Sequence, residues 1–163
     1  MLRPWLPVLV LLTGCPTEGF GPPPADSCDV PVQSELASLE VGPGTFANTP
    51  FVAWQAEDTV VMTRGGQGGD MLGVRFRITG AKLPACLQQT TVITAPGTTP
   101  RTYALSLRTY AQADGSRQTR TWWLAEGFPE QFSLQSTAGG RMVTTHLSLP
   151  SSRRTPDAGS SDL

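Results

Sequence analysis

The chain has 163 residues, with 12 basic against 13 acidic side chains, a single histidine, 17 glycines and 15 prolines. That is room for one ordinary domain with loose ends. Only 15% of residues are charged and the net charge is −1, against ~25% charged residues in an average soluble domain, so there is no long-range field to draw in nucleic acid. The 39% of hydrophobic residues supply a core, while so much glycine and proline means many turns and few long helices, which points to an all-β chain.

The chain opens with Met1-Leu2-Arg3, a short basic start, and an apolar run from Leu6 to Leu12. That run falls well short of the ~20 residues that span a bilayer, and it reads as a signal peptide. It ends in Leu12-Thr13-Gly14-Cys15, which resembles the lipobox of bacterial lipoproteins: Leu, two small or polar residues, then Cys. The resemblance implies that residues 1–14 are removed, that Cys15 receives a diacylglyceryl group and that its new amino group is acylated. It also implies an outer-membrane destination, because Pro16 rather than Asp follows the cysteine. Two or three acyl chains, each burying many CH₂ groups at ~0.8 kcal/mol apiece, hold a protein on a membrane where one chain is marginal. An ordinary secretory signal with a chance cysteine at the cleavage point is the alternative.

Once Cys15 is lipidated, Cys28 and Cys86 remain as an even pair in an oxidising space, and they are expected to form a disulfide. A metal site would need more ligands close by, and the only histidine is His146. No metal and no cofactor are expected. Residues 15–32, with Pro22-Pro23-Pro24 and several glycines, form a semi-rigid extended tether. The tail 150–163 is almost free of apolar residues and cannot offset its own ordering entropy. Residues 33–149 are the domain.

Within it, strand signals come at short spacing: Leu36–Val41, Thr59–Thr63, Leu72–Thr79, Thr90–Thr94, Tyr103–Tyr110, Gln118–Leu124, Phe132–Gln135 and Met142–Leu149, with a further short one near Phe51–Trp54. Seven to nine short strands suit an immunoglobulin-like two-sheet antiparallel sandwich, with a small β-barrel as the competing solution. Two hairpins have a derivable register. Asp114-Gly115 as a two-residue turn pairs Ala113 with Ser116, Arg108 with Thr121, Leu107 with Trp122 and Leu105 with Leu124. That arrangement sends Tyr110, Arg108, Trp123, Thr121 and Thr119 to the opposite, outer face. Gly139-Gly140 as a turn pairs Leu134 with Thr145 and Phe132 with Leu147, and sets His146 opposite Ser133 on the polar face.

The loop Gly65-Gly66-Gln67-Gly68-Gly69-Asp70-Met71-Leu72-Gly73 fits, letter by letter, the glycine-rich repeat that holds Ca²⁺ in RTX proteins. Those sites are shared between stacked turns, so one copy lacks half its ligands. A hairpin connection is the expectation, with anion capture by the loop amides as an alternative. From Phe51 onward, through the glycine loop and the alternating strand closing in Thr79-Gly80, the chain also resembles uncharacterised lipoproteins of myxobacteria and related bacteria. That resemblance implies an immunoglobulin-like sandwich and no known activity; several of those proteins carry a His where this chain has Asp70-Met71.

Catalysis finds few parts. There is one lysine, one histidine, no Gly-x-Ser-x-Gly, no His-Glu-x-x-His and no free nucleophilic cysteine. His146 beside Ser133 reads as a solvated surface pair, and Glu57-Asp58 as the start of a strand. No catalytic residue is nominated. The better functional lead is the outward Trp123 and Tyr110 with Arg108, an amphipathic strip of the kind that meets a partner protein or a sugar ring. The expectation is a lipid-anchored cell-envelope module, non-enzymatic, with an envelope protein or a polysaccharide as partner and no nucleic acid. A carbohydrate- or peptidoglycan-binding role through the exposed aromatics, or an unrecognised envelope enzyme, is the alternative.

Overall fold

The computed structural model describes residues 28, 35–45, 49–65, 68–125 and 127–150. Residues 1–14, expected to be a signal segment, Cys15, the expected tether apart from Cys28, and the expected tail beyond Pro150 lie outside the described residues. The chain is all-β. Ten strands follow in order: β1 (Ser38–Pro43), β2 (Asp58–Thr59), β3 (Thr63–Arg64), β4 (Asp70–Thr79), β5 (Cys86–Thr94), β6 (Arg101–Ala111), β7 (Arg117–Thr119), β8 (Trp122–Leu124), β9 (Gln131–Ala138) and β10 (Arg141–Ser148). The segment Phe51–Trp54 forms no strand, although the Trp54 amide donates to the Val41 carbonyl at 2.9 Å.

Pairing runs continuously in the order β1-β4-β7-β6-β5-β9-β10-β2, with β3 and β8 also on β4. Every described pair is antiparallel except β2 with β10. The strands therefore form one curled, open half-barrel. The hinge of the curl is β6. Its residues 101–108 pair with β5, and its last three, Thr109–Ala111, pair with β7. One long strand thus belongs to two wings: β6-β5-β9-β10-β2 and β1-β4-β7/β8-β6.

The core lies on the concave side, and alternation explains which residues reach it. From β4 come Leu72, Val74, Phe76 and Ile78, each at most 1% exposed. Facing them are Leu39, Val41, Leu87, Leu107, Trp122, Leu124, Phe132, Leu134 and Leu147. Tyr103 meets Trp122 edge to face, with ring centroids 5.4 Å apart.

The Gly139-Gly140 hairpin has the expected register: Thr145 faces Leu134, His146 faces Ser133 and Leu147 faces Phe132. Both turn glycines have positive φ, 52° and 74°, as a two-residue type I′ turn demands. The other hairpin is corrected by one residue. Thr109 faces Thr119 and Tyr110 faces Gln118, because the loop holds three residues, Ala113-Asp114-Gly115, closed by the Gln112 amide on the Ser116 carbonyl at 2.9 Å.

Beyond Thr119 the chain leaves β6 altogether. Leu124 pairs with Leu72 and Trp122 with Val74, while Leu105 pairs with Gln89. Between β7 and β8 the register on β4 slips by one residue, a bulge at Arg120-Thr121. That slip turns Thr119 inward, to 5% exposure, and still leaves Trp122 and Leu124 in the core with Trp123 outward.

Candidate functional site

The disulfide expected between Cys28 and Cys86 is present, with Cα atoms 5.9 Å apart and a sequence separation of 58. In the chain-entropy model a closed loop of that size removes about 4 kcal/mol of unfolded-state freedom. Cys86 faces Arg108 across the ladder, and the Cys28 amide donates to the Ser106 carbonyl at 3.2 Å. The N-terminal segment therefore joins the domain on the outside of β5 and β6, at the Cys86 end. Cys15 lies outside the described residues.

Gly66 and Gln67 of the glycine-rich loop lie outside the described residues, and the segments on either side of them run antiparallel. Arg64 pairs with Asp70, and the Gly65 amide donates to the Gly69 carbonyl at 2.7 Å. Among the described residues no three His, Cys, Asp or Glu side chains gather as metal ligands.

Trp123, Tyr110 and Arg108 all point outward, but they do not form one strip. Arg108 is exposed on the β5 side of β6, and Tyr110 is half-buried, with the Arg120 guanidinium 5.0 Å from its ring centre. Trp123 faces Gly73, whereas Tyr110 reaches β4 at Arg77 through Gln118. Four residues of β4 separate those levels, or about 13 Å.

Pro43–Thr45 and Thr49–Trp54 lie over this wing as two parts of a strap. Arg75, outward on β4 yet only 8% exposed, donates to the carbonyls of Pro43 (3.1 Å), Thr49 (3.0 Å) and Pro50 (3.2 Å). Its charge centre sits 5.8 Å from the Phe51 ring. Burial lowers the Arg75 pKa from its ordinary value, and the guanidinium still keeps its charge at neutral pH. Thr121 donates to the Thr45 carbonyl at 2.9 Å.

Close approach here depends on missing side chains. A Cβ on Gly42 would stand 2.1 Å from the Val52 carbonyl oxygen, and one on Gly73 would stand 2.3 Å from that of Gly44 and 2.9 Å from the Trp123 ring. Glycine inside a strand signals such an approach. Arg75 gave no comparable sign, since an outward arginine between apolar neighbours is ordinary for a strand.

The other wing carries Cys28 at the Cys86 end of its convex side and is otherwise bare of covering segments among the described residues. Outward side chains form rows across its strands: Thr102, Val92, Gln135 and Thr144; then Ala104, Thr90, Thr137 and Met142; with Ser106 and Gln88 beyond. No Asp, Glu or Lys points outward from β5, β9 or β10, or from β6 as far as Arg108. Beneath this face the core carries polar groups. Thr91 donates to the Gln89 side-chain oxygen at 2.7 Å and bonds the Ser136 hydroxyl at 2.8 Å, all three at most 1% exposed. Where β5 and β9 part, a cleft of about 770 Å³ opens between Leu87–Thr90 and Thr137–Gly140.

At the far end of the bare face lies a second cleft, of about 730 Å³. Its floor is the row Thr94, Ser133 and His146, one residue from each of three neighbouring strands. Ser133 Oγ and His146 Nδ1 are 2.7 Å apart, which fixes the ring. One wall is the Ala95–Thr98 turn, with Gly97 at φ 72°. The other is Glu57, in the turn Gln55–Asp58, at φ 68°. Among the described residues Glu57 is the one non-glycine with positive φ, a conformation that costs about 1–2 kcal/mol. It is held there by its amide on the His146 carbonyl (2.8 Å) and by Asp58 accepting from the Gln55 amide (2.8 Å).

Sequence reasoning paired His146 with Ser133 correctly but missed Glu57 as their neighbour; nothing in Glu-Asp marks a left-handed turn. The Ser133–His146 pair has the parts of a nucleophile and its base. Both sit within the β9–β10 ladder, not on a loop.

Compared with known proteins, the chain matches no family model, no curated protein and no solved structure.

Proposed function

We propose that this protein is a cell-envelope lipoprotein, anchored through Cys15 and displaying a β half-barrel as a non-enzymatic binding module. The observation that carries the reading is the Cys28–Cys86 disulfide. A bridged pair fits a compartment outside the cytoplasm, and it fastens the domain thirteen residues after the lipobox cysteine. Those thirteen residues, rich in proline, reach about 40 Å at most when extended.

The attachment point also favours display. The tether joins β5 at Cys86, and the Thr94 end of the same strand carries the His146 cleft, about 27 Å further on. The bare wing thereby points away from the bilayer, while the strapped wing is braced. Two features support kinship with immunoglobulin-like sandwiches: the number of short strands, and β6, which serves as a corner strand passing from one wing to the other. The partner on this reading is an envelope protein or a polysaccharide.

The test is fractionation. Replacing Cys15 by Ser is expected to move the protein from the membrane fraction to the soluble periplasmic fraction; membrane association that survives the change would overturn the anchor.

A further inference from the structure

We infer that the cleft between Glu57 and the Ala95–Thr98 turn binds a neutral, hydroxyl-rich glycan. The inference deepens the binding-module reading and rests on it, but it needs no lipid. Three observations converge. The cleft presents hydroxyls, an imidazole and one carboxylate from separate elements, fixed by strand pairing and by the 2.7 Å bond between Ser133 and His146. Glu57, at φ 68°, holds a strained conformation that glycine would adopt freely, and strain of this kind gathers at functional sites. The cleft also continues into a face of threonine, serine and glutamine rows without a carboxylate, so a polymer longer than the cleft meets matching chemistry beyond it.

Other occupants fit less well. An anion meets the Glu57 carboxylate, and a metal ion lacks three gathered ligands among the described residues. An extended peptide needs a free strand edge. Here β5, β9 and β10 are paired to one another, and beside the cleft the outer edge of β10, from His146 to Ser148, is taken by β2 and the Glu57 amide. An apolar ligand finds Phe132 and Leu147 turned inward, at 3% and 2% exposure. What remains is a ligand that offers and accepts many hydrogen bonds without charge. A carboxylate accepting from two adjacent hydroxyls, beside an imidazole nitrogen and hydroxyl groups, matches a sugar ring.

The experiment titrates the full lipidated protein, in polyoxyethylene-ether micelles that carry no sugar, with cellotetraose and with chitotetraose by calorimetry. Saturable binding of either is expected, weakened at least tenfold in Glu57→Gly and in His146→Ala. Glu57→Gly is expected to keep or raise the thermal midpoint, so its loss of binding cannot be a loss of folding. Absence of saturable binding to both oligosaccharides overturns the inference. So does binding untouched by both substitutions, or binding abolished by Trp123→Ala alone, which would move the site to the strapped wing. Failure here with Cys15→Ser still releasing the protein would leave the anchor standing; the reverse outcome would sink the anchor alone.

Discussion

The two wings of the half-barrel share a strand and a core but treat their outer faces in opposite ways. On the β1-β4-β7/β8 wing the convex side is spent on structure. Glycines 42, 44 and 73 admit both parts of the strap to within contact, and Arg75 ties three of its carbonyls down. Apart from Arg108 at its Cys86 end, the β6-β5-β9-β10 wing points no Asp, Glu, Lys or further Arg outward, and the described residues lay no strap across it. A face that must hold its own chain needs close-fitting backbone and a strong multivalent donor. A face kept for something else needs regular, accessible groups and nothing lying across them. On the proposed reading, the ligand meets the wing that lacks Trp123 and Tyr110, away from two of the three residues that the hairpin register singled out.

The comparison can be broken first at the strap. Gly73→Val puts branched carbons where a single Cβ is already 2.3 Å from the Gly44 carbonyl, and is expected to cost about 3 kcal/mol by overpacking; a thermal midpoint near wild type would show the strap to be loosely laid. Arg75→Met keeps the stem but leaves three carbonyls without their donor, an expected loss of about 2 kcal/mol read by urea unfolding. On the bare wing, Thr90→Ser removes one exposed methyl and should lie within about 0.5 kcal/mol of wild type. A larger loss there would mean that this face, too, is covered.

The smallest effect concerns acid. Asp114 is held below the usual carboxylate pKa first by the Ser116 hydroxyl (2.6 Å), then by the Ser116 amide (2.9 Å) and the Arg77 charge. A lowered pKa in the folded state stabilises above the unfolded value of about 3.9, and the contribution fades as pH falls through the folded value. Ser116→Ala is expected to raise the Asp114 midpoint seen by NMR, leaving behaviour at pH 7 nearly unchanged. An unmoved midpoint would mean that the hydroxyl bond is not what holds it.

Local chemistry was legible; long-range choices were not. Gly139-Gly140 fixes its own turn, so the β9–β10 register and the meeting of Ser133 with His146 could be derived from neighbours in sequence. Asp114-Gly115 resembles the same signal, but Asp114 caps Ser116 and lengthens the loop to three residues, shifting the ladder by one. That Trp122–Leu124 leaves β6 for β4 depends on the bulge at Arg120-Thr121 and on the whole concave core, which no window of sequence contains. Alternation still placed Leu107, Trp122 and Leu124 inward, because burial of a face outlasts an error in its partner. The Glu57 turn was hidden for the opposite reason: its left-handed conformation is imposed by the His146 carbonyl from ninety residues away, and carries no signature of its own.

The lipid anchor can be read at the N-terminus of the mature protein. Intact-mass and peptide mass spectrometry of the protein extracted from membranes should find no residue before Cys15, and should find diacylglyceryl and N-acyl groups on that cysteine. A mature chain starting at Met1, or a bare Cys15, would contradict it.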